Sequence, residues 1–564
     1  MATGTGTGIS PRLPAADGPV TARGPGVGER HADRVPRWLW WAALPLGAIY
    51  LILLAPQLHA AIRATNLDAD AASGPVISEL FGAAPAHANV VLGEFGWYAT
   101  LLFDLATKWL PDHRQVWETA PYAMALAGAG LAAWSVWQVA GRWAAGLTAV
   151  LLICASPATL RLQLSTTQHA PAWFCLALLG AFVVWLERRA ADARPLVMVL
   201  LVLVIGTIAG VNAASDPLVI VAAIVPFALA LIVSRVRGNA RPLGAGLATV
   251  AVAGVTWGIT RAVMSALSVT PESGLHPTKV VVGAKTGHNF TLLWRAIAVL
   301  GNGAVSGGSL SPRIVLAAVC AAASIAAVVV LPWLGWRELR RPVSSPDDRA
   351  RRAFFAFWCS SAILLAVAFV FSDAPADIHA DRYLVGLLYA AAAAVPAAAA
   401  LMPAGAARRG RVAAAVLAGT CVFALGATVS LARGVSNEGT EFHTPISAGA
   451  AGQIARIAAR EHLSVGYAGY WDAAPVTWTT GFRVQVYPVA VCDQDAHLCR
   501  FDLHFISSWY SPRPRTGSFL LTDERSSQSV IVPTPDLGPP TAVYRIGSIK
   551  MYAYPYDLAA RIQS

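Results

Sequence analysis

The sequence predicts a mainly α fold: a polytopic membrane bundle of about eleven transmembrane helices, followed by a C-terminal extracytoplasmic α/β domain. Three observations carry this. Only 13% of the 564 residues are charged, against about 25% in ordinary soluble proteins. Hydrophobic residues make up 56% of the chain and mean hydropathy is +0.54. The apolar residues fall in runs near twenty long, punctuated by arginines, until the composition becomes that of a soluble domain near Asn437. Together these exclude a water-soluble enzyme, a disordered chain and a fibrous repeat. The net charge of +11 would suggest a nucleic-acid partner in a soluble protein. Here the cations cluster between apolar runs, which the positive-inside rule explains, so no nucleic-acid partner is expected.

Residues 1–37, rich in Gly, Pro and Ala, read as a disordered cytoplasmic tail. A transmembrane unit at 38–433 and an outer domain at 434–564 follow. The candidate spans are Trp38–Gln57, Glu118–Val139, Ala144–Leu160, Pro171–Trp185, Leu196–Asn212, Pro217–Val233 and Leu243–Ala266, then Ile314–Trp333, Ala353–Phe371, Tyr383–Met402 and Val412–Leu431. Val90–Leu110 is long enough to cross but carries Glu94, Asp104 and Lys108. Read as an interfacial or re-entrant segment, it leaves the loops around Arg142, Arg188–Arg194, Arg235–Arg241, Arg337–Arg352 and Arg408–Arg411 all on the face of the N-terminal tail. The N-terminus is then cytoplasmic and the C-terminal domain extracytoplasmic in a multi-pass cell-membrane protein.

Five of the seven cysteines sit within apolar spans; Cys492 and Cys499 bracket a polar loop in the outer domain and read as a disulfide. In that domain Ile454–Glu461 reads as a helix, and Val484–Val491, Ser518–Thr522, Ser529–Val532, Ala542–Ile546 and Lys550–Tyr554 as strands. Neither a dinucleotide fingerprint nor a Walker lysine is present.

The polar residues assigned to the outer surface form the candidate site. Asp68 and Asp70, alternating in the first loop, can aim two carboxylates one way, toward an acceptor hydroxyl or a divalent ion such as Mg2+ or Mn2+; a solvated acid pair is the competing reading. Gln168 and His169 follow in a short turn, and Asp216 directly precedes Pro217. Lys279 and Lys285, two of only four lysines, lie in a long outer segment at 268–312. Arg382, beside His379 and Tyr383 at the mouth of a span, can clamp a phosphate bidentately, or snorkel as interfacial arginines do. Trp471, Trp478 and Trp509 are candidates for stacking on a sugar or for domain core.

The order of these parts, with "GEFGWYATLLFDLATKWL", "VAGRWAAGLTAVLLICASPATLRLQL", "DIHADRYLVGLLYAAAAAVP" and "GYAGYWDAAPVTWTTGFRVQVYPV", resembles the GT-C superfamily of membrane glycosyltransferases, of the protein-mannosyltransferase and RgtA-like kind. The Ala/Arg-rich, Lys-poor usage suggests a GC-rich genome, as in actinobacteria. The resemblance implies inverting transfer of a sugar from a polyprenyl-phosphate donor to a glycan, lipoglycan or protein acceptor outside the membrane. It gives the base role to Asp68 or Asp70, with Asp68 favoured, and the donor phosphate to Arg382. Two departures stand out. An alanine separates the first-loop acids, and "GEFGWY" replaces the paired prolines frequent in relatives. A non-catalytic relative whose outer domain binds glycan or a partner is the alternative; a lipid or sugar transporter is a weaker one, since no acid sits mid-span.

Overall fold

The computed structural model describes residues 40–67, 69–82, 88–92, 107–110, 113–166, 169–234, 240–271, 278–303, 311–402, 406–433, 446–492, 497–525 and 530–563. The predicted tail at 1–37 lies outside them.

The chain begins with α1 (Trp40–Thr65) and α2 (Ala69–Phe81), then a short strand β1 (Val90–Leu92). The bundle continues with α3 (His113–Ala140), α4 (Arg142–Ile153), α5 (Pro157–Leu164), α6 (Ala170–Arg189) and α7 (Pro195–Ser215). A π-helical opening at Ile220–Ile224 leads into α8 (Val225–Ser234), followed by α9 (Ala240–Ala266) and β2 (Val269–Pro271). Next come α10 (Ala284–Leu300), α11 (Pro312–Val329), α12 (Leu331–Leu339) and α13 (Pro346–Phe371). A 3-10 turn, Ile378–Leu384, runs into α14 (Val385–Ala400), and α15 (Ala406–Leu431) closes the bundle.

Among the described residues nine helical runs are long and apolar enough to cross a membrane, and α4 with α5 forms a tenth that is bent by 82°. Several begin alike: Ser156, Ser311 and Ser345 each precede a proline and accept, through Oγ, the N–H three residues on. The serine satisfies an orphan donor and the proline removes another, so the sequence starts the helix at that residue. At Ser156-Pro157 the same device breaks the expected single span Ala144–Leu160. Proline cannot continue the hydrogen-bond ladder and holds Ser156 extended, so one span becomes two helices. The break is satisfied from outside: Tyr50 Oη donates to the Ala155 carbonyl at 2.9 Å. α4 starts where α3 ends, and Asn66 just past α1 donates to the Leu164 carbonyl at the end of α5 (3.2 Å).

Three other expectations change. The span read at Pro217–Val233 is a shorter apolar helical run, Ile220–Ser234, opened by the π-helical turn. The segment at 268–312, read as an outer loop, contains α10, whose Leu292, Leu293, Ala296, Ile297 and Leu300 pack in the bundle core. The span read from Tyr383 begins earlier, with the 3-10 turn. Val90–Leu110 keeps both of its described ends on one face. Val90 and Val91 pair with Ile506 and Phe505 of the C-terminal unit, and Lys108 Nζ donates to the Ser78 carbonyl at 3.3 Å.

The C-terminal unit comprises α16 (Ala448–Arg460), β3 (Leu463–Gly469), α17 (Tyr470–Thr479), β4 (Gln485–Val491), β5 (Leu498–Arg500), β6 (Phe505–Ile506), β7 (Gly517–Asp523), β8 (Ala542–Ile546) and β9 (Ile549–Tyr554). Six strands form a mixed sheet in the order β5-β4-β3-β7-β9-β8, parallel at its centre. Of the strand read at Ser529–Val532, the described residues Val530–Val532 form no strand. Cys492 and Cys499 form a disulfide beside the β4–β5 pair.

Two joints fasten this unit to the bundle. The strands β2-β1-β6 form a small sheet from the segment after α9, the first loop and the C-terminal unit. Trp478 of α17 packs edge-on against Trp117 of α3 (centroids 6.1 Å apart), with the Arg114 guanidinium 4.2 Å from its ring. At the other end of the bundle the arginines are tied down by acids: Glu338 takes Arg337, Arg341 and Arg351, and Glu187 takes Arg349.

Candidate functional site

The site lies at the end of the bundle that meets the C-terminal unit. Asp70 stands in the first turn of α2, where an acid is favoured by the helix dipole. The buried residues of α2, Ala71 to Ser78, hold this helix down. The Asp70 carboxylate accepts a hydrogen bond from Tyr470 Oη at the start of α17. The ring of Tyr470 is fixed by stacking on Phe501 at 4.5 Å and by an edge contact with Trp471 at 5.2 Å. A residue of the C-terminal unit thus completes the first loop.

Arg382 arrives on the 3-10 turn, which Asp377 caps by accepting the N–H of His379 at 2.9 Å. Its guanidinium lies 5.2 Å from the Tyr383 ring centre, and Nη2 donates to Tyr383 Oη at 3.4 Å. Asp70 and Asp381 both act electrostatically on that guanidinium. Asp381 is buried at 3% exposure and also feels Arg161 of α5. The second limb of the broken span therefore presents a cation toward the turn.

Behind Tyr383 stands His169, 1% exposed, whose ring centre is 5.2 Å from that of Tyr383. His169 precedes α6 in left-handed backbone, φ 55°, uncommon for a residue with a Cβ. Its Nδ1 lies 2.6 Å from Asp216 Oδ2, and Asp216 Oδ1 accepts the Leu218 N–H at 2.9 Å. Contacts run from Asp216 through His169 and Tyr383 to Arg382, and separately from Tyr470 to Asp70, whose charge acts on Arg382. Asn66 braces the floor, donating to the Leu164 carbonyl and accepting from Thr166 at 3.2 Å.

Of the residues singled out in the sequence, Asp70, His169, Arg382, Tyr383 and Trp471 come together. Lys285 of α10 joins the same loop from the side, its Nζ donating to the Pro375 carbonyl at 2.6 Å. His379 is half-buried on the turn itself. Lys279 does not project into the cluster: its backbone N–H bonds Asp373 at 2.8 Å while the residue is exposed. Asp68 and Gln168 lie outside the described residues. Trp478 and Trp509 are core, at 4% and 5% exposure, whereas Trp471 is half-buried.

Asp216, an acid placed directly between an apolar run and a proline, and Asp381, beside Arg382, stood among the outer polar residues of the sequence. Arg161 and Tyr470 carried no signal, because each matters only through partners distant in the chain. For the proposed Mg2+ or Mn2+, no group of three His, Cys, Asp or Glu side chains converges among the described residues. Asp70 faces a hydroxyl and a guanidinium instead. What the cluster offers is a carboxylate and a partly buried guanidinium within electrostatic reach of each other, groups that can take a proton from a hydroxyl and hold a phosphate.

No family model matches the chain, and no curated protein matches it. Among solved structures it is similar to ArnT from Cupriavidus metallidurans bound to undecaprenyl phosphate, at 14% identity and a TM-score of 0.47, covering 89% of this chain and 97% of that one. It is likewise similar to ArnT of that organism in the apo state, at 15% identity and a TM-score of 0.44, with the same coverage.

Proposed function

We propose that this protein is an integral membrane glycosyltransferase that moves a sugar, with inversion, from a polyprenyl-phosphate donor to a cell-envelope glycan, lipoglycan or protein acceptor. The observation that supports the reading is that Asp70 and Arg382, from opposite ends of the membrane unit, lie close enough for the Asp70 charge to act on the Arg382 guanidinium. The arginine-dense end of the bundle is the cytoplasmic one by the positive-inside rule, so the cluster faces outward. A disulfide between Cys492 and Cys499 suits that compartment.

The chemistry requires little beyond these groups. The acceptor hydroxyl oxygen attacks the anomeric carbon as the bond from that carbon to the phosphate oxygen breaks. The hydroxyl proton passes to a first-loop carboxylate, and polyprenyl phosphate leaves with one more negative charge. Arg382 takes up that charge through paired N–H donors, pre-positioned by Tyr383, so little reorganisation is needed as the charge develops. Lys285, on the same loop cluster, adds positive potential, and His379 stands beside it as a hydrogen-bonding group. The base is Asp68 or Asp70. Asp70 already accepts from Tyr470, which fits a positioning role for Asp70 and keeps Asp68 the favoured base. No step is drawn through a metal ion.

The test is lipid and glycan analysis of a deletion strain complemented with wild-type, Asp68→Asn, Asp70→Asn or Arg382→Ala protein. Loss of transfer should leave a polyprenyl-phosphate sugar accumulated and a glycan truncated. Full complementation by both aspartate variants would remove the base assignment. An unchanged lipid pool in the deletion strain would favour a non-catalytic glycan-binding role.

A further inference from the structure

At the opposite end of the bundle, far from Asp70 and Arg382, a cavity of about 450 Å3 opens at the α6–α7 connection. Its polar wall is Arg188, Arg189 and Arg194 against a single aspartate, Asp192, and its apolar wall is Trp134 and Trp185. We propose that this cavity binds the phosphodiester headgroup of an anionic phospholipid from the leaflet opposite the transfer site.

Two features of the cavity call for an anion. Three guanidiniums and one carboxylate leave an excess of positive charge. Arg188 is shared already, donating to Gln138 Oε1 at 3.2 Å and to Asp347 at 2.7 Å. Its Nε is nevertheless buried and finds no acceptor among the described residues. The partner Asp347 is 76% exposed, so that ion pair is weak and exchangeable. The N-terminus of α7, starting at Pro195, stands beside Arg194 and adds its dipole.

Two other features favour a lipid over free phosphate. Trp185 is held by stacking on Phe182 at 5.8 Å, giving a rigid amphipathic wall of the sort found where headgroups meet acyl chains. From the cavity mouth, Leu196, Leu200 and Leu203 follow at helical spacing on α7, exposed at 69%, 52% and 47%. An acyl chain can lie along this row while the phosphate stays among the arginines, a geometry open only to a molecule with both parts. The inference does not depend on the proposed reaction.

The experiment is native mass spectrometry of the full-length, detergent-purified chain titrated with phosphatidylglycerol, phosphatidylcholine or glycerol phosphate. Arg189 and Arg194 are exposed, so Arg189→Gln/Arg194→Gln should fold normally, which circular dichroism checks. Removing two interfacial cations should weaken phosphatidylglycerol binding about thirtyfold. It should leave phosphatidylcholine binding unchanged. The control Arg340→Gln/Arg411→Gln removes the same charge from the same end outside the cavity and should cost less than threefold by this reading. Equal losses in both variants, no preference of the wild type for phosphatidylglycerol, or equal binding of glycerol phosphate would each overturn the proposal.

Discussion

Replacing Asp216 by Asn tests the chain of contacts behind Arg382. The substitution keeps shape and keeps the acceptor for the Leu218 N–H at 2.9 Å. It removes the carboxylate from the bond to His169 Nδ1, 2.6 Å long between residues only 1% and 6% exposed. A hydrogen bond to a charged group contributes about 1.5 to 3 kcal/mol. Stranding a buried charge would cost about 3 to 5 kcal/mol. The imidazole escapes that larger cost, because as the neutral ring it can accept from the new amide. The expected destabilisation is therefore about 2 kcal/mol. Reversible SDS unfolding in mixed micelles would measure it, and a double-mutant cycle with His169→Gln should show a coupling above about 1 kcal/mol. Donor-phosphate binding should weaken with it, since Tyr383 and Arg382 lose their backing. If the two changes add to within about 0.5 kcal/mol, the pair is not the brace inferred here.

Four other outcomes follow from named contacts. Trp478→Ala removes the ring between Trp117 and Arg114 and should cost about 3 to 5 kcal/mol; limited proteolysis should then cut readily between the bundle and the C-terminal unit. Gly466→Ala drives a Cβ into the Phe519 ring in the central strand, an overpacking worth about 1 to 3 kcal/mol, readable as earlier unfolding of the C-terminal unit. Ser156→Ala removes the cap on α5 and should cost about 1 kcal/mol, with faster amide exchange at Thr159 as its signature. Burial raises the Asp523 carboxyl, but bonds from Arg525 and Ser548 and the charge of Arg525 outweigh it, so the net position is below the ordinary carboxylate value. A lowered folded value means the stabilisation is complete above about pH 3.9 and is lost as pH falls through the lower folded value. Acid titration should show that loss in the wild type and its absence in Asp523→Asn.

The bundle was legible because crossing a membrane leaves a coarse trace: length, apolarity and flanking arginines. All eleven apolar runs correspond to helical segments, down to the Ser156-Pro157 break, whose proline was visible but whose consequence for one span was not drawn. Leu292, Leu293, Ala296 and Ile297 of α10 were missed as a helix face because Lys285 and His288 precede them and dilute the hydropathy. In the C-terminal unit the edge hairpin β8–β9 alternates and was readable. The central strand β3, buried on both faces as Leu463-Ser-Val-Gly-Tyr-Ala-Gly, lacks alternation and was not. Of the site, charged residues standing at span mouths, such as Asp70 and Arg382, could be named. Tyr470 could not, since its role exists only once α17 docks on α2.

The account rests on one geometric claim, that Arg382 and the first-loop acid share a cleft built for a lipid phosphate. Its most direct measurement is binding of undecaprenyl phosphate, against undecaprenol as the uncharged twin, to the purified chain and to Arg382→Ala. The wild type should prefer the phosphate by at least about tenfold, and the variant should bind both lipids alike. An unchanged preference in Arg382→Ala would contradict the claim.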